Sequence, residues 1–142
     1  MSTNLQTPRI LDIPVRPDPL GDLCFIEAQR VVPFEIKRVY FITGIPAHAK
    51  RGGHAHKDLI EVIIAAHGAF TVKLEDQAGN RCEFRLDSPG RGLMVDSLYW
   101  RDLSEYQEGS LCLVLASGYY DENDYLRNHD DFLEYRPPTI RC

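Results

Sequence analysis

From residue 59 onward the chain is cut into short segments of similar length. LIEVIIA, AFTVKLE, RCEFRL, LMVD, LYWRDLS and LCLVLAS follow one another, and AHG, DQAGN, DSPGRG and YQEGS separate most of them. Segments this short suit strands better than helices, and their breaks carry the Gly, Pro, Asn and Asp that turns require. Strands recurring every ~8–12 residues indicate a β-sandwich or small barrel. The period inside the segments agrees. Phe70, Val72 and Leu74 fall on one face of a strand, as do Cys82, Phe84 and Leu86.

The flanks differ. Residues 1–20 hold four of the nine prolines and read as an extended arm. LCFIEA and KRVYFIT are two further short strands, and HAKRGGHAH is a glycine-marked approach to the next one. In YYDENDYLRNHDDFLEYR, Tyr125, Leu126, His129, Phe132 and Leu133 take a helical spacing, and Asp121 is placed to cap a helix. A helical tail is expected over residues 121–136. The expected fold is all-β: one domain, 1–142, a small barrel or jelly roll with a short helical C-terminal tail.

Bulk properties exclude some functions. A net charge of −5 argues against non-specific nucleic-acid binding, while leaving room for a local basic pocket that takes a small anion. No apolar run approaches the ~18 residues of a membrane span. MSTNLQTPRILDIPV lacks the pattern of a secretory signal, so a cytoplasmic protein is expected. Cys24, Cys82, Cys112 and Cys142 are far apart without CxxC spacing, and are expected to be buried, reduced thiols.

The most reactive stretch is RGGHAHKDLIEVIIAAHG, residues 51–68. On a strand His54 and His56 project to the same side. Two imidazoles with pKa values near ~6.5 suit acid–base catalysis. With Glu61 they also make a set of two histidines and a carboxylate able to hold a metal ion. The spacing HxH, four residues, Glu, six residues, Gly is the first motif of the cupin barrels. Their second motif is met in part by SPGRGLMV. Its expected histidine is missing, and Arg101 stands in YWRD instead, where its charge would oppose a metal.

VPFEIKRVYFI, RGGHAHK, LDSPGRGLMV, YWRDL and LASGYYDENDYLRNHDDF together resemble the sugar 3,4-ketoisomerase family within the cupin superfamily. These pieces span about residues 21 to 133. The resemblance implies a metal-free, cofactor-free enzyme that interconverts 4-keto and 3-keto forms of a dTDP-linked 6-deoxy sugar. It also implies a homodimer with exchanged N-terminal strands, serving deoxyamino-sugar biosynthesis. It assigns His56 as base and His54 as relay or hydrogen-bond partner, roles that the spacing alone leaves interchangeable. Arg38, Tyr40, Arg51 and Arg101 are the expected substrate-binding residues, because forked guanidinium donors match phosphate oxygens and an arginine can hold an oxyanion. The plain alternatives are an exposed strand charge for Arg38, a core aromatic for Tyr40 and a solvated loop residue for Arg51.

Two departures stand out. Glu61 occupies a position where the family usually has Gln, which restores the metal-type cupin pattern. Arg101 stands where some members carry His. With the apolar Leu20, Arg101 points to the gluco configuration at C4 of the product. Trp100 and the acids Asp121, Glu122 and Asp124 read as structural, as do His48, His67 and His129. Three other functions compete: a nucleotide-sugar 3,5-epimerase, a metal-dependent cupin enzyme and a non-catalytic sugar-nucleotide binding module. The epimerase usually has a His–Asp dyad and a catalytic tyrosine at spacings not found here.

Overall fold

The structure, a computed structural model, describes residues 7–139. In chain order its strands are β1 (Arg9–Asp12), β2 (Val15–Arg16), β3 (Leu23–Cys24), β4 (Arg38–Ile42), β5 (Arg51–His56) and β6 (Glu61–His67). There follow β7 (Phe70–Glu75), β8 (Arg81–Leu86), β9 (Arg91–Val95), β10 (Trp100–Ser104), β11 (Leu111–Ala116) and β12 (Tyr125–Leu126). A 3₁₀ turn, Glu122–Asp124, precedes β12, and one helix, α1 (His129–Glu134), follows it.

Two five-stranded sheets face each other, in the orders β1-β9-β6-β11-β4 and β12-β5-β10-β7-β8. The pairing within them is antiparallel. This is a jelly-roll arrangement of sheets, not a closed barrel. Phe70, Val72 and Leu74 of the second sheet meet Ile63, Leu93 and Val114 of the first, and this apolar layer is the main core. The strand β6 reads as an unbroken apolar run because both its faces are covered. Glu61, Ile63 and Ala65 face inward, while Val62 and Ile64 meet Ile13, Val32 and Phe34 from the N-terminal half.

Gly68 closes the turn between β6 and β7. A Cβ there would lie 2.8 Å from the Ser110 Cα, so no larger residue fits without displacing backbone.

The tail departs from the expected continuous helix. Asp121 does cap a helical turn, accepting from the Asn123 N–H at 3.0 Å, but that turn lasts only three residues. Tyr125 and Leu126 then pair with His56 and Ala55 as a strand. The reason is steric and local: Leu126 buries against Ala55, Leu98 and Phe132, and an extended backbone carries it there. The capped helix α1 begins only after Asn128. The cysteines differ as well. Cys112 is buried, but Cys82 is exposed near the outer end of an edge strand and Cys24 is half-buried; Cys142 lies outside the described residues. Residues 1–6 of the expected arm also lie outside them, while Arg9–Asp12 pairs with β9 of the same chain. Among the described residues, no helix is long and apolar enough to cross a membrane.

Candidate active site

The chemistry-bearing residues converge between the two sheets at one end. Alternation along β4 turns Arg38, Tyr40 and Ile42 inward and leaves Val39 and Phe41 exposed. The first residue of β6, Glu61, faces the same space. From the opposite sheet come His54 of β5 and Arg101 of β10, which are direct cross-strand partners. Gly52 makes that pairing possible. Its φ is +89°, and a Cβ would lie 2.6 Å from the Arg101 carbonyl oxygen. A bulge in β10 follows between Arg101 and Asp102.

These residues line a cavity of about 310 Å³, within the usual range for small-molecule sites. Arg38, Arg51, Arg101 and Arg127 give its wall four guanidinium groups against the single carboxylate of Glu61. The acidic chain therefore does hold a local basic pocket. Arg38 Nε and Arg101 Nε are buried without a hydrogen-bond partner among the described residues. Unpaired buried donors of this kind are available to ligand oxygens. A larger depression of about 680 Å³ lies on the solvent side of β7, β8 and β10 beside α1. It contains neither His54 nor His56, and His129 there is tied to Glu75 at 2.7 Å.

His54 and His56 do share a face, with ring centroids 5.0 Å apart and rings nearly perpendicular. Their surroundings differ. His54 lines the cavity, whereas His56 is fully buried and lies behind it. Burial, with the nearby charges of Arg101 and His56, pulls the His54 imidazole down to about 4. It is therefore neutral, with a lone pair, at physiological pH. His56 is held from both sides. Its Nδ1 is 2.9 Å from Asp124 Oδ2, and its Nε2 is 2.9 Å from Glu61 Oε1, a close contact that is not aligned as a hydrogen bond.

Glu61 is the hub. Arg101 Nη1 donates to its Oε1 at 2.9 Å and the Tyr40 hydroxyl donates to its Oε2 at 2.5 Å. Burial by itself raises the Glu61 pKa, but the contacts with His56, Arg101 and Tyr40 outweigh it and hold the group at about 2. Burial and the Glu61 charge push the Tyr40 phenol upward, so it stays protonated and able to donate. Tyr125 leans on both imidazoles, 5.1 Å from His54 and 4.5 Å from His56, and carries Arg127 over its ring at 4.2 Å.

All six residues singled out in the sequence (His54, His56, Arg38, Tyr40, Arg51 and Arg101) are brought together here, five on the cavity wall and His56 behind it. Trp100 is instead wedged outside between His129 and Phe132. His48 and His67 are exposed. Leu20 is 98% exposed and does not line the cavity. Sequence reasoning missed Tyr125 and Arg127, and it found no His–Asp dyad. The structure overturns that last point: His56 and Asp124 meet across 68 residues of chain, a separation that no local motif encodes.

His54, His56 and Glu61 each offer one ligand atom within 4.8 Å of the others. The donor set nonetheless fits a metal ion poorly. Both Glu61 oxygens already accept hydrogen bonds, one of them from a guanidinium that would repel a cation, and His56 Nδ1 is committed to Asp124.

The family model described as FdtA, WxcM-like, C-terminal, matches residues 6–137. The chain belongs to the FdtA family. A curated relative from Aneurinibacillus thermoaerophilus, TDP-4-oxo-6-deoxy-alpha-D-glucose-3,4-oxoisomerase, is 42% identical over 119 residues, covering 83% of this chain and 84% of that protein. QdtA, a sugar 3,4-ketoisomerase from Thermoanaerobacterium thermosaccharolyticum solved with TDP, is 37% identical. It superposes with a TM-score of 0.87 over 89% of this FdtA-family chain and 92% of its own. WlaRB, a TDP-quinovose 3,4-ketoisomerase from Campylobacter jejuni, is also 37% identical, with a TM-score of 0.86 over 92% of this chain and 100% of its own. The FdtA-family match and these superpositions agree with the two facing sheets described above.

Proposed function

We propose that this chain is a sugar 3,4-ketoisomerase converting dTDP-4-keto-6-deoxyglucose to the 3-keto isomer, as its FdtA-family relatives are named to do. The observation that carries the reading is the position of His54: a neutral imidazole on the wall of a cavity lined by guanidinium groups. Moving the ketone requires breaking the C3–H bond, passing through an enediolate, and forming a C4–H bond. His54 takes the C3 proton as base and returns a proton to C4, the O3 hydroxyl proton passing to O4 in between. Tyr40, whose hydroxyl proton is given to Glu61, turns its oxygen to the cavity as an acceptor and serves the hydroxyl transfer as a relay. Arg101 lies beside the same wall and stabilises the enediolate oxygen. Arg38 and Arg51 take the diphosphate.

This exchanges the two histidine roles assigned from sequence. His56 is sealed off from the cavity and acts on the site through Glu61. The gluco outcome at C4 remains our reading. Arg101 and the likeness to a quinovose-type enzyme support it, whereas Leu20 lies off this cavity. A homodimer with exchanged N-terminal strands fits the edge position of β1, whose place on β9 the same strand of a second copy can take in identical register. A nucleotide-sugar substrate is consistent with a cytoplasmic site of action.

Incubation with dTDP-4-keto-6-deoxyglucose in deuterated water tests the reaction. NMR should show deuterium at C4 of a 3-keto product; failure of both isomerisation and exchange would remove the proposal. The His56–Asp124 pair favours a second reading, a 3,5-epimerase, which would instead place deuterium at C3 and C5. The burial of His56 speaks against it, because an epimerising base must reach carbon.

A further inference from the structure

Asp124 does not line the cavity, yet among the described residues it makes the hydrogen bond that ties the tail to the buried imidazole. Its Oδ2 takes His56 Nδ1 at 2.9 Å, its Oδ1 accepts from the Asp58 N–H at 2.8 Å, and its own carbonyl accepts from the Lys57 N–H at 2.8 Å. Through its carboxylate and its backbone carbonyl Asp124 thus clasps three consecutive residues at the end of β5, His56, Lys57 and Asp58. The next residue, Tyr125, packs against both imidazole rings.

We propose that Asp124 is a positioning residue for the isomerisation: by accepting from His56 Nδ1 it fixes the orientation of the imidazole ring and so holds Nε2 beside Glu61, 2.9 Å from its Oε1. The inference rests on the ketoisomerase reading and adds a residue to it. Four side chains, two of them rings, then form a continuous line. Asp124, 15% exposed, meets His56; His56 meets Glu61; Glu61 accepts from Tyr40, which faces the cavity. Without a carboxylate at Nδ1 the ring is free to rotate, and the contact with Glu61 is lost. The Tyr40 hydroxyl then loses its fixed orientation, although no group that touches the sugar has been changed.

The test compares Asp124→Asn with Asp121→Ala. Both alter the same turn, but Asp121 serves only as its cap. Asp124→Asn is expected to lower kcat about 10- to 100-fold, the range seen when a carboxylate that orients a functional imidazole is removed, with KM little changed. Asp121→Ala should keep wild-type kcat. NMR supplies a readout independent of turnover: a far-downfield ring N–H proton of His56 should be present in the wild type and in Asp121→Ala and absent in Asp124→Asn. Wild-type kcat in Asp124→Asn, or an unchanged His56 resonance, overturns the inference while leaving the ketoisomerase reading intact. An equal loss in both variants also overturns it, since it would show that the turn matters only as structure. If the wild type proves inactive on the dTDP sugar, the ketoisomerase reading fails, and the resonance alone decides the Asp124–His56 coupling.

Discussion

Glu61 and Arg101 form an ion pair at 2.9 Å between the two sheets, with side chains only 1% and 2% exposed. Neither charge has water to fall back on. Removing one partner of such a pair costs about 3–5 kcal/mol, mainly because the other is left buried and uncompensated. Glu61→Ala is therefore expected to lose about that much in urea unfolding. Glu61→Gln keeps an acceptor for Arg101 and should lose clearly less. Equal losses in the two variants would show that packing, not charge, governs this position.

The depressed pKa of His54 makes the protein acid-sensitive in a defined window. Its folded value of about 4 lies below the ~6.5 of a free imidazole, so between those values the unfolded chain binds a proton that the native state does not. Stability then falls as pH falls through that window, by at most about 1.4 kcal/mol per pH unit from this group. Below about 4 both states are protonated and its contribution is constant. Glu61, depressed from 4.5 to about 2, continues the decline at lower pH. Urea unfolding of His54→Asn should show a flatter slope between pH 6.5 and 4 than the wild type. In kcat/KM the acid limb should sit near 4; a limb at 6.5 would contradict the desolvated base.

Much of this site was legible in the chain because its signals are local. His54 and His56 share a face by strand period, and Arg38 and Tyr40 do the same two residues apart. What stayed hidden depends on contacts between distant segments. Tyr125 and Leu126 match a helical spacing, but Ala55 and Phe132 draw Leu126 into a strand. Asp124 read as structural because nothing near it in sequence marks its reach to His56. The relative depth of the two imidazoles was equally hidden: period 2 gives the side of the sheet, not the distance to solvent.

Arg51 stands at the start of β5, exposed, on the cavity wall. It makes no ion pair that would compete for it among the described residues. A charge-assisted hydrogen bond contributes about 1.5–3 kcal/mol, and 1.4 kcal/mol corresponds to about tenfold in affinity. Arg51→Ala should raise KM for the dTDP sugar about tenfold or more and leave kcat near its original value. A fall in kcat at constant KM would move Arg51 from diphosphate binding to the chemical step.

The engagement of Glu61 by Arg101 and Tyr40 bears directly on metal dependence. A divalent ion on His54, His56 and Glu61 would have to displace both hydrogen bonds and lie next to a guanidinium. Exhaustive treatment with a chelator should therefore leave turnover unchanged, and elemental analysis of the purified protein should find far less than one iron, nickel, manganese or zinc per chain. Stoichiometric metal, with activity lost on its removal and restored on its return, would refute the metal-free mechanism.

Gly52 allows the sharpest separation of strain from collision. Gly52 and Gly79 have almost the same φ, +89° and +87°. An alanine at either position meets the cost of the left-handed region, about 1–2 kcal/mol. At Gly79 a Cβ would enter open space, so Gly79→Ala should lose no more than that and keep full activity. At Gly52 the Cβ would sit 2.6 Å from the Arg101 carbonyl oxygen, and backbone cannot rotate away as a side chain can. Strands β5 and β10 must separate where His54 pairs with Arg101. Gly52→Ala is therefore expected to be less stable than Gly79→Ala in thermal unfolding. It should also lose kcat out of proportion to its stability, because the displaced carbonyl belongs to Arg101, the residue proposed to stabilise the enediolate. Equal stability and equal activity of the two variants would mean that β10 yields freely, and that the tight β5–β10 approach does not set the geometry of the site.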